Sequence, residues 1–281
     1  MHSPMEQFEI KRLISFHIGS LDASYTNSAL WMTIAVIVAF LLFVVGVRQR
    51  ALVPGRLQSV AELGYEFIAG MVRDNVGSAG KKYFPFVLTL FIFILLCNLL
   101  GLVPYSFTPT SHIIVTFAMA AVVFIGVTII GFARHGLHFF SFFVPQGVPF
   151  VLLLLLVPIE IISYFVRPFS LSIRLFANML AGHTMLKVFG GFVVMLGVLA
   201  GWAPLAFLVA FTGLELLIAF LQAYVFAILT CLYLFGSFVS GALRNPEAAP
   251  RVFGNVLLGF ALTEAVALFA LVIAFMILFV F

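Results

Sequence analysis

The sequence predicts an all-α, polytopic membrane protein. It should hold about five transmembrane helices, two of them long and tilted, one interfacial amphipathic helix, and a further transmembrane helix at the C-terminus. Three observations carry this. Of 281 residues, 64% are hydrophobic and only 9% are charged, against about 25% charged in an ordinary soluble domain. Six apolar runs approach or exceed the roughly 20 residues that a helix needs to cross a hydrocarbon core. Lys and Arg are shared unequally between the connecting segments. Composition excludes a soluble enzyme and a disordered chain. A nucleic-acid binder is excluded because the 14 Lys and Arg never gather into a long basic run.

No cleavable signal peptide is expected. The first strong apolar run begins near Leu30, behind a polar stretch holding Glu6, Glu9, Lys11, Arg12 and Asp22, whereas a signal peptide sets a short apolar region close behind a basic start. The expected spans are Leu30–Val47, Phe84–Val103, Ile113–Ala133, a long run from Val148 to about Ala200, another from Leu205 to about Val239, and Val252–Phe281. The fourth run is too long for one upright helix. It reads as tilted or bent, with Pro149, Pro158 and Pro168 allowing local distortion that neighbouring helices accommodate. Gly201-Trp202-Ala203-Pro204 reads as the turn into the next helix.

Gly55–Gly80 differs. Leu57, Val60, Ala61, Gly64, Phe67 and Ile68 share one helical face, with Glu62, Glu66 and Arg73 interspersed, which predicts a helix lying along the membrane surface; a plain loop is the alternative. If the first span runs outside to inside, the inner side receives nine basic residues: Arg48, Arg50, Arg56, Arg73, Lys81, Lys82, Arg134, Arg244 and Arg251. The outer side receives only Lys11 and Arg12. That asymmetry sets the N-terminus outside. Cys97 and Cys231 lie in apolar runs and offer neither a disulfide framework nor a metal spacing. No internal repeat of transporter type is visible.

Charges at membrane depth cost about 3 kcal/mol each on insertion scales and mark ion paths. Here they are Glu160, Arg167, Arg174, Lys187, Glu215 and Glu264, with His183 as a titratable neighbour. Arg167 and Lys187 read as snorkelling side chains. Glu160, Arg167 and Arg174 recur every seven residues and so share a face. At ~1.5 Å per residue, Glu160 lies roughly 21 Å to the inner side of Arg174, and His183 roughly 13 Å to its outer side. Asn178 stands one turn from Arg174. On the following antiparallel span, Glu215 and Gln222 also share a face, which sets Glu215 near the level of His183 if Gln222 is level with Arg174. Such a pair could form a hydrated proton entrance or an ordinary buried salt bridge. A guanidinium is never deprotonated under these conditions. Arg174 therefore cannot relay protons by losing one, but it favours the ionised form of a carboxylate that faces it.

Pro168-Phe-Ser-Leu-Ser-Ile-Arg-Leu-Phe-Ala-Asn-Met-Leu-Ala-Gly-His183 closely resembles the central motif of subunit a of F-type ATP synthases. Glu215-Leu-Leu-Ile-Ala-Phe-Leu-Gln-Ala-Tyr-Val-Phe-Ala-Ile-Leu-Thr230 resembles its last helix. Pro4–Ile10 and the Asn98–His112 segment resemble bacterial and mitochondrial versions too, so the likeness covers about residues 4–234. It implies that Arg174 is the essential arginine facing the rotor carboxylate, with Asn178 and Gln222 beside the ring. It further implies that His183 and Glu215 line an outer half-channel and that Glu160 lines an inner one. Ser170 matches a position near the arginine. Asn98 and His112 match motif positions that read as packing or helix-end hydrogen bonding.

Residues 235–281 resemble instead the second part of the c-type rotor protein of the same synthases: the end of its first helix, its polar loop and its second helix. Arg244-Asn245-Pro246 matches the loop that contacts the central stalk, and Gly259–Ala265 the surroundings of the proton-carrying carboxylate, which would be Glu264. The implied division is 1–234, a proton-channel domain, and 235–281, an incomplete c hairpin. The implied partners are the c-ring, the peripheral-stalk b subunits, the rest of the synthase, membrane lipid and protons, with no nucleic acid, cofactor or metal. The implied location is a bacterial plasma membrane or a mitochondrial inner membrane. Protons are expected over sodium, because Thr263 is the only hydroxyl adjacent to Glu264 and a mid-helix hydroxyl bonds its own backbone. No nucleotide-binding loop occurs. The competing readings are a free-standing proton or cation transporter and an inactive a/c fusion with a structural role only.

Overall fold

A computed structural model describes residues 4–18, 21–22, 24–48, 54–76, 81–104, 106–136 and 150–234. Six helices carry this part of the chain: α1 (Asn27–Gly46), α2 (Arg56–Val76), α3 (Phe84–Gly101), α4 (Ile113–His135), α5 (Phe150–Ala200) and α6 (Trp202–Leu234). All but α2 are long and apolar enough to cross a membrane, giving five candidate spans among the described residues. The expected C-terminal span, with the whole of 235–281, lies outside the described residues.

Ahead of α1 the chain makes a 3-10 turn, Pro4–Phe8, and a small antiparallel ribbon. In it β1 (Arg12–Ile14) pairs with β4 (Tyr25–Thr26), and β2 (His17–Ile18) pairs with β3 (Leu21–Asp22). These strands are too short to show an alternating pattern in the sequence. Asn27 anchors the ribbon to α1, accepting from the Lys11 N–H at 3.1 Å and donating to the Glu9 carbonyl at 3.0 Å. Thr26 caps the helix by accepting from the Ala29 N–H at 3.3 Å.

The α2 helix packs on α1, α3 and α6. Its buried face is Ala61, Ile68, Met71 and Val72. Leu57, Val60 and Phe67, which share a predicted apolar face with Ala61 and Ile68, are exposed beside the charged Glu62 and Glu66. The apolar surface is thus wider than the strip used for packing, and its remainder is available to the acyl boundary of a membrane.

The α5 helix is long: 51 residues, or about 76 Å at the α-helical rise. That far exceeds a hydrocarbon core of about 30 Å, so in a bilayer it must tilt or bend. Pro158 and Pro168 lie inside it without ending it. The break comes at Gly197, whose φ of +60° suits glycine. The turn therefore lies at Gly197–Gly201, earlier than the Gly201–Pro204 expected from sequence, and Trp202, Ala203 and Pro204 form the first turn of α6. There a proline's missing N–H costs nothing.

The core joins α2, α3, α5 and α6 through Ile68, Val87, Phe91, Ile94, Leu175, Met179 and Phe226. Ala219, Ala223 and Ala227, each fully buried, recur every four residues on α6. Small side chains on one stripe let neighbouring helices approach closely, which is how helices associate where lipid supplies no hydrophobic drive. Conversely Phe40, Ile114, Ile129, Leu154 and Val194 point outward and are exposed. Large apolar surface of this extent belongs against lipid.

Candidate functional site

The close approach of α5 and α6 buries polar side chains inside an apolar bundle. His183 on α5 is 8% exposed, and Glu215 on α6 is 2% exposed. Their nearest charged atoms, His183 Nδ1 and Glu215 Oε1, stand 3.5 Å apart. That is a long ion-pair distance, not a hydrogen bond. Neither Glu215 oxygen accepts a hydrogen bond from the described residues. Gly182 makes this packing possible. A Cβ there would stand 2.6 Å from Glu215 Oε1 and 3.0 Å from its Cδ.

The other face of the imidazole meets the connection between α3 and α4. Thr108 Oγ1 lies 2.9 Å from His183 Nε2. Thr108 is buried, as are Thr110 and Ser111 in the 3-10 turn Pro109–Ser111. The Ser111 hydroxyl donates to the Thr108 carbonyl at 2.7 Å. The Thr110 hydroxyl donates to Asn98 Oδ1 at 2.7 Å, and Asn98 Nδ2 donates to the Ala219 carbonyl at 3.1 Å. Ala219 is one turn along α6 from Glu215. A polar brace thus runs from α6 through α3 into the connection that holds His183. Gly101, at the end of α3, gives Thr108 its room: a Cβ there would stand 2.7 Å from the Thr108 Cγ2.

The other residues singled out from sequence fall as follows. Arg174 and Asn178 are half-buried on α5, and the Asn178 Nδ2 is buried without a hydrogen-bond partner among the described residues. Gln222 is buried on α6 and Ser170 is exposed on α5. Arg167 lies over the Tyr164 ring, 5.8 Å from its centre, and Lys187 is exposed. Glu160 lies within the α5 backbone, but its side chain is outside the described residues. Glu264, Arg244, Asn245 and Pro246 are also outside them. Asn98 carries two hydrogen bonds, as above. His112 precedes α4 and stacks on Phe107 with ring centres 5.2 Å apart. Burial lowers its pKa below the ordinary 6.5, with a hydrogen bond to the Phe8 backbone acting weakly against that.

Sequence reasoning missed Thr108, Gly101 and Gly182 as parts of this arrangement, and also the α4–α5 contact of Thr116 with Ser172 at 3.1 Å. Three hydroxyl residues, Thr108, Thr110 and Ser111, clustered in an otherwise apolar chain, were the available signal. Among the described residues no group of three or more His, Cys, Asp or Glu is placed to hold a metal ion.

Chemically, the site encloses two titratable groups and one hydroxyl partner between tightly packed helices. Closing Nδ1 and Oε1 from 3.5 Å to the roughly 2.8 Å of a charge-assisted hydrogen bond needs only a side-chain movement. The arrangement can therefore hold a proton and pass it between the two groups.

The family described as ATP synthase A chain matches residues 29–235, which include α1 to α6 almost entirely. The chain belongs to this family. The Rhodospirillum rubrum protein named ATP synthase subunit a is 59% identical over 234 residues, covering 83% of this chain and 97% of the relative. The Pelagibacter ubique protein of the same name is 56% identical over 233 residues, covering 83% and 96%. That of Mesorhizobium japonicum is 57% identical over 237 residues, covering 82% and 94%. A second family, that of the c-type protein of ATP synthase, matches residues 217–277. The two matches overlap over 217–235, so the c-type match begins inside α6, upstream of the Phe235 at which the sequence resemblance begins. Family membership and the five apolar helices together make this a multi-pass, all-α membrane protein of the F-type ATP synthase.

Proposed function

We propose that the chain is the membrane stator component of an F-type ATP synthase, providing two proton half-channels beside the c-ring and coupling proton flow to rotation and ATP synthesis. The observation that carries this is the buried Glu215–His183 pair, 3.5 Å apart, on the two helices that also bear Arg174 and Gln222. A proton enters from outside by His183 and Glu215 and neutralises a ring carboxylate. The neutral carboxyl faces lipid at tolerable cost, whereas the charged one does not. Rotation brings the next protonated carboxyl to Arg174, whose permanent charge favours its ionisation. Asn178, Gln222 and Ser170 supply polar contacts beside the ring, and the proton leaves by the Glu160 side. The membrane potential gives direction, at about 2.3 kcal/mol per charge for each 100 mV.

In this reading residues 1–234 form the channel domain and 235–281 a c-type loop and helix. Arg244, Asn245 and Pro246 are then its stalk-contact loop, and Glu264 is a rotor-type carboxylate on a stator chain. The peripheral-stalk b subunits and the c-ring are its partners, and a bacterial plasma membrane is its setting. The deciding experiment is Arg174→Ala in reconstituted vesicles holding the whole complex. ATP-driven proton pumping should be lost, and unchanged pumping overturns the proposal.

A further inference from the structure

The imidazole of His183 has two nitrogens, and the structure gives each a different neighbour: Nδ1 faces Glu215 at 3.5 Å, and Nε2 faces the Thr108 hydroxyl at 2.9 Å. We propose that Thr108 is a positioning residue for His183, holding the ring by Nε2 in both of its charge states so that Nδ1 stays aimed at Glu215. This rests on the reading of His183 and Glu215 as a proton-handling pair.

The argument turns on what a hydroxyl can do that other groups cannot. Neutral imidazole with its hydrogen on Nδ1 needs a donor at Nε2, and imidazolium needs an acceptor there. A threonine hydroxyl serves as either by rotating its hydrogen, so the ring need not move when it gains or loses a proton. A backbone N–H or carbonyl would suit one state alone. The surroundings hold Thr108 in place for this. Its carbonyl accepts from Ser111, the neighbouring Thr110 is pinned to Asn98, and Asn98 is pinned to α6 at Ala219. Gly101 leaves the space that the Thr108 side chain occupies. The brace ends one turn from Glu215, so the two helices bearing the pair and the loop that orients it are tied into one unit.

The test compares Thr108→Val with Thr108→Ser in the intact synthase. Valine keeps the shape and loses the hydroxyl, and serine does the reverse. ATP-driven proton pumping in inverted vesicles should fall about tenfold with valine, the order expected when a buried polar group loses its partner, and stay close to normal with serine. The nitrogen-15 resonances of the His183 ring, recorded on the same complexes, should shift with valine and not with serine. A space-filling role for Thr108 gives the opposite order, and that result overturns the proposal. Equal pumping and unshifted ring resonances in both variants also overturn it. If the valine complex fails to assemble, Thr108→Cys replaces it. The cysteine variant should pump poorly beside the serine one, and parity between them is again fatal. Failure here with pumping still lost in Arg174→Ala removes only the role of Thr108. Pumping retained in Arg174→Ala removes the underlying channel reading, and the ring resonances still report on Thr108.

Discussion

Gly182 of α5 lies directly against the carboxylate of Glu215 on α6, so closely that a methyl group at position 182 would stand 2.6 Å from Oε1, 3.0 Å from Cδ and 3.3 Å from Cγ. The nearest of these is the far end of a flexible side chain, which can turn away. Gly182→Ala should therefore cost little stability, toward the low end of the roughly 1–3 kcal/mol typical of overpacking. Its effect should fall on the position of the carboxylate relative to His183. The complex is expected to assemble at near-normal yield and to pump protons severalfold more slowly, as read by ATP-driven dye quenching in vesicles.

Gly101→Ala meets a stiffer neighbour. Its Cβ would stand 2.7 Å from the Cγ2 and 2.9 Å from the Cβ of Thr108. A β-branched side chain has little freedom at χ1 to yield, and Thr108 is held at both ends by hydrogen bonds. The cost should reach the upper part of the overpacking range, about 3 kcal/mol. A lower temperature of half-inactivation for Gly101→Ala than for Gly182→Ala is the expected order.

Asn98 is completely buried and joins Thr110 to Ala219. The two losses in Asn98→Ala differ in weight. The Ala219 carbonyl lies within α6, where the helix ladder supplies it a second donor, so the larger cost is the stranded Thr110 hydroxyl. A loss of about 1–3 kcal/mol is expected, measured as a reduced yield of assembled complex and earlier thermal inactivation.

How much of this was legible in the sequence follows from what sets each feature. The spans were legible because their length is fixed by the bilayer and their composition by its interior, so α1, α3 and α4 begin and end within a few residues of their apolar runs. The seven-residue spacing of Glu215 and Gln222 on α6 was legible because helical periodicity fixes which residues share a face. The partnership of Thr108 with His183 was not. It joins residues 75 positions apart through a connection with no repeating geometry, and only the end of α3 and the turn at Pro109 place that hydroxyl. The clearances at Gly101 and Gly182 were hidden for the same reason: a glycine's role there is the space it leaves, and that depends on the neighbouring element. The turn was misplaced by four residues because Pro204 looks like a breaker in sequence, whereas Gly197, with its positive φ, is the residue that breaks the helix.

His112 lies outside the spans, and its lowered pKa gives a pH effect of definite sign. The folded protein holds this imidazole neutral to a lower pH than the unfolded chain does. Between the folded value and 6.5, the unfolded state binds more protons, so acid favours unfolding. The stabilisation is complete above 6.5 and is lost as the pH falls toward the folded value. Thermal inactivation of the complex should therefore come earlier as pH drops below 6.5, and His112→Gln should flatten that dependence. An undiminished slope in the variant would assign it to other groups.

Cys97 and Cys231 are each 1% exposed within helices of the core. Thiol reactivity requires access for the reagent, so maleimide should leave both unmodified in the native complex and label both after denaturation, as read by mass. This also clears the background for the test of the tethered carboxylate. If Glu264 docked permanently on Arg174, the two charges would satisfy each other, and the rotor contact would be occupied by a helix that cannot turn. A working chain must keep them apart or release them in every cycle. With cysteines introduced as Ile173→Cys, at an exposed position beside Arg174, and Ala265→Cys, oxidative crosslinking should be scarce in complexes that pump. Where crosslinking is forced, pumping should fall in proportion to the crosslinked fraction. Efficient crosslinking with undiminished pumping would mean that the c-type helix can occupy the arginine without obstructing the ring, and the argument from charge satisfaction would fail.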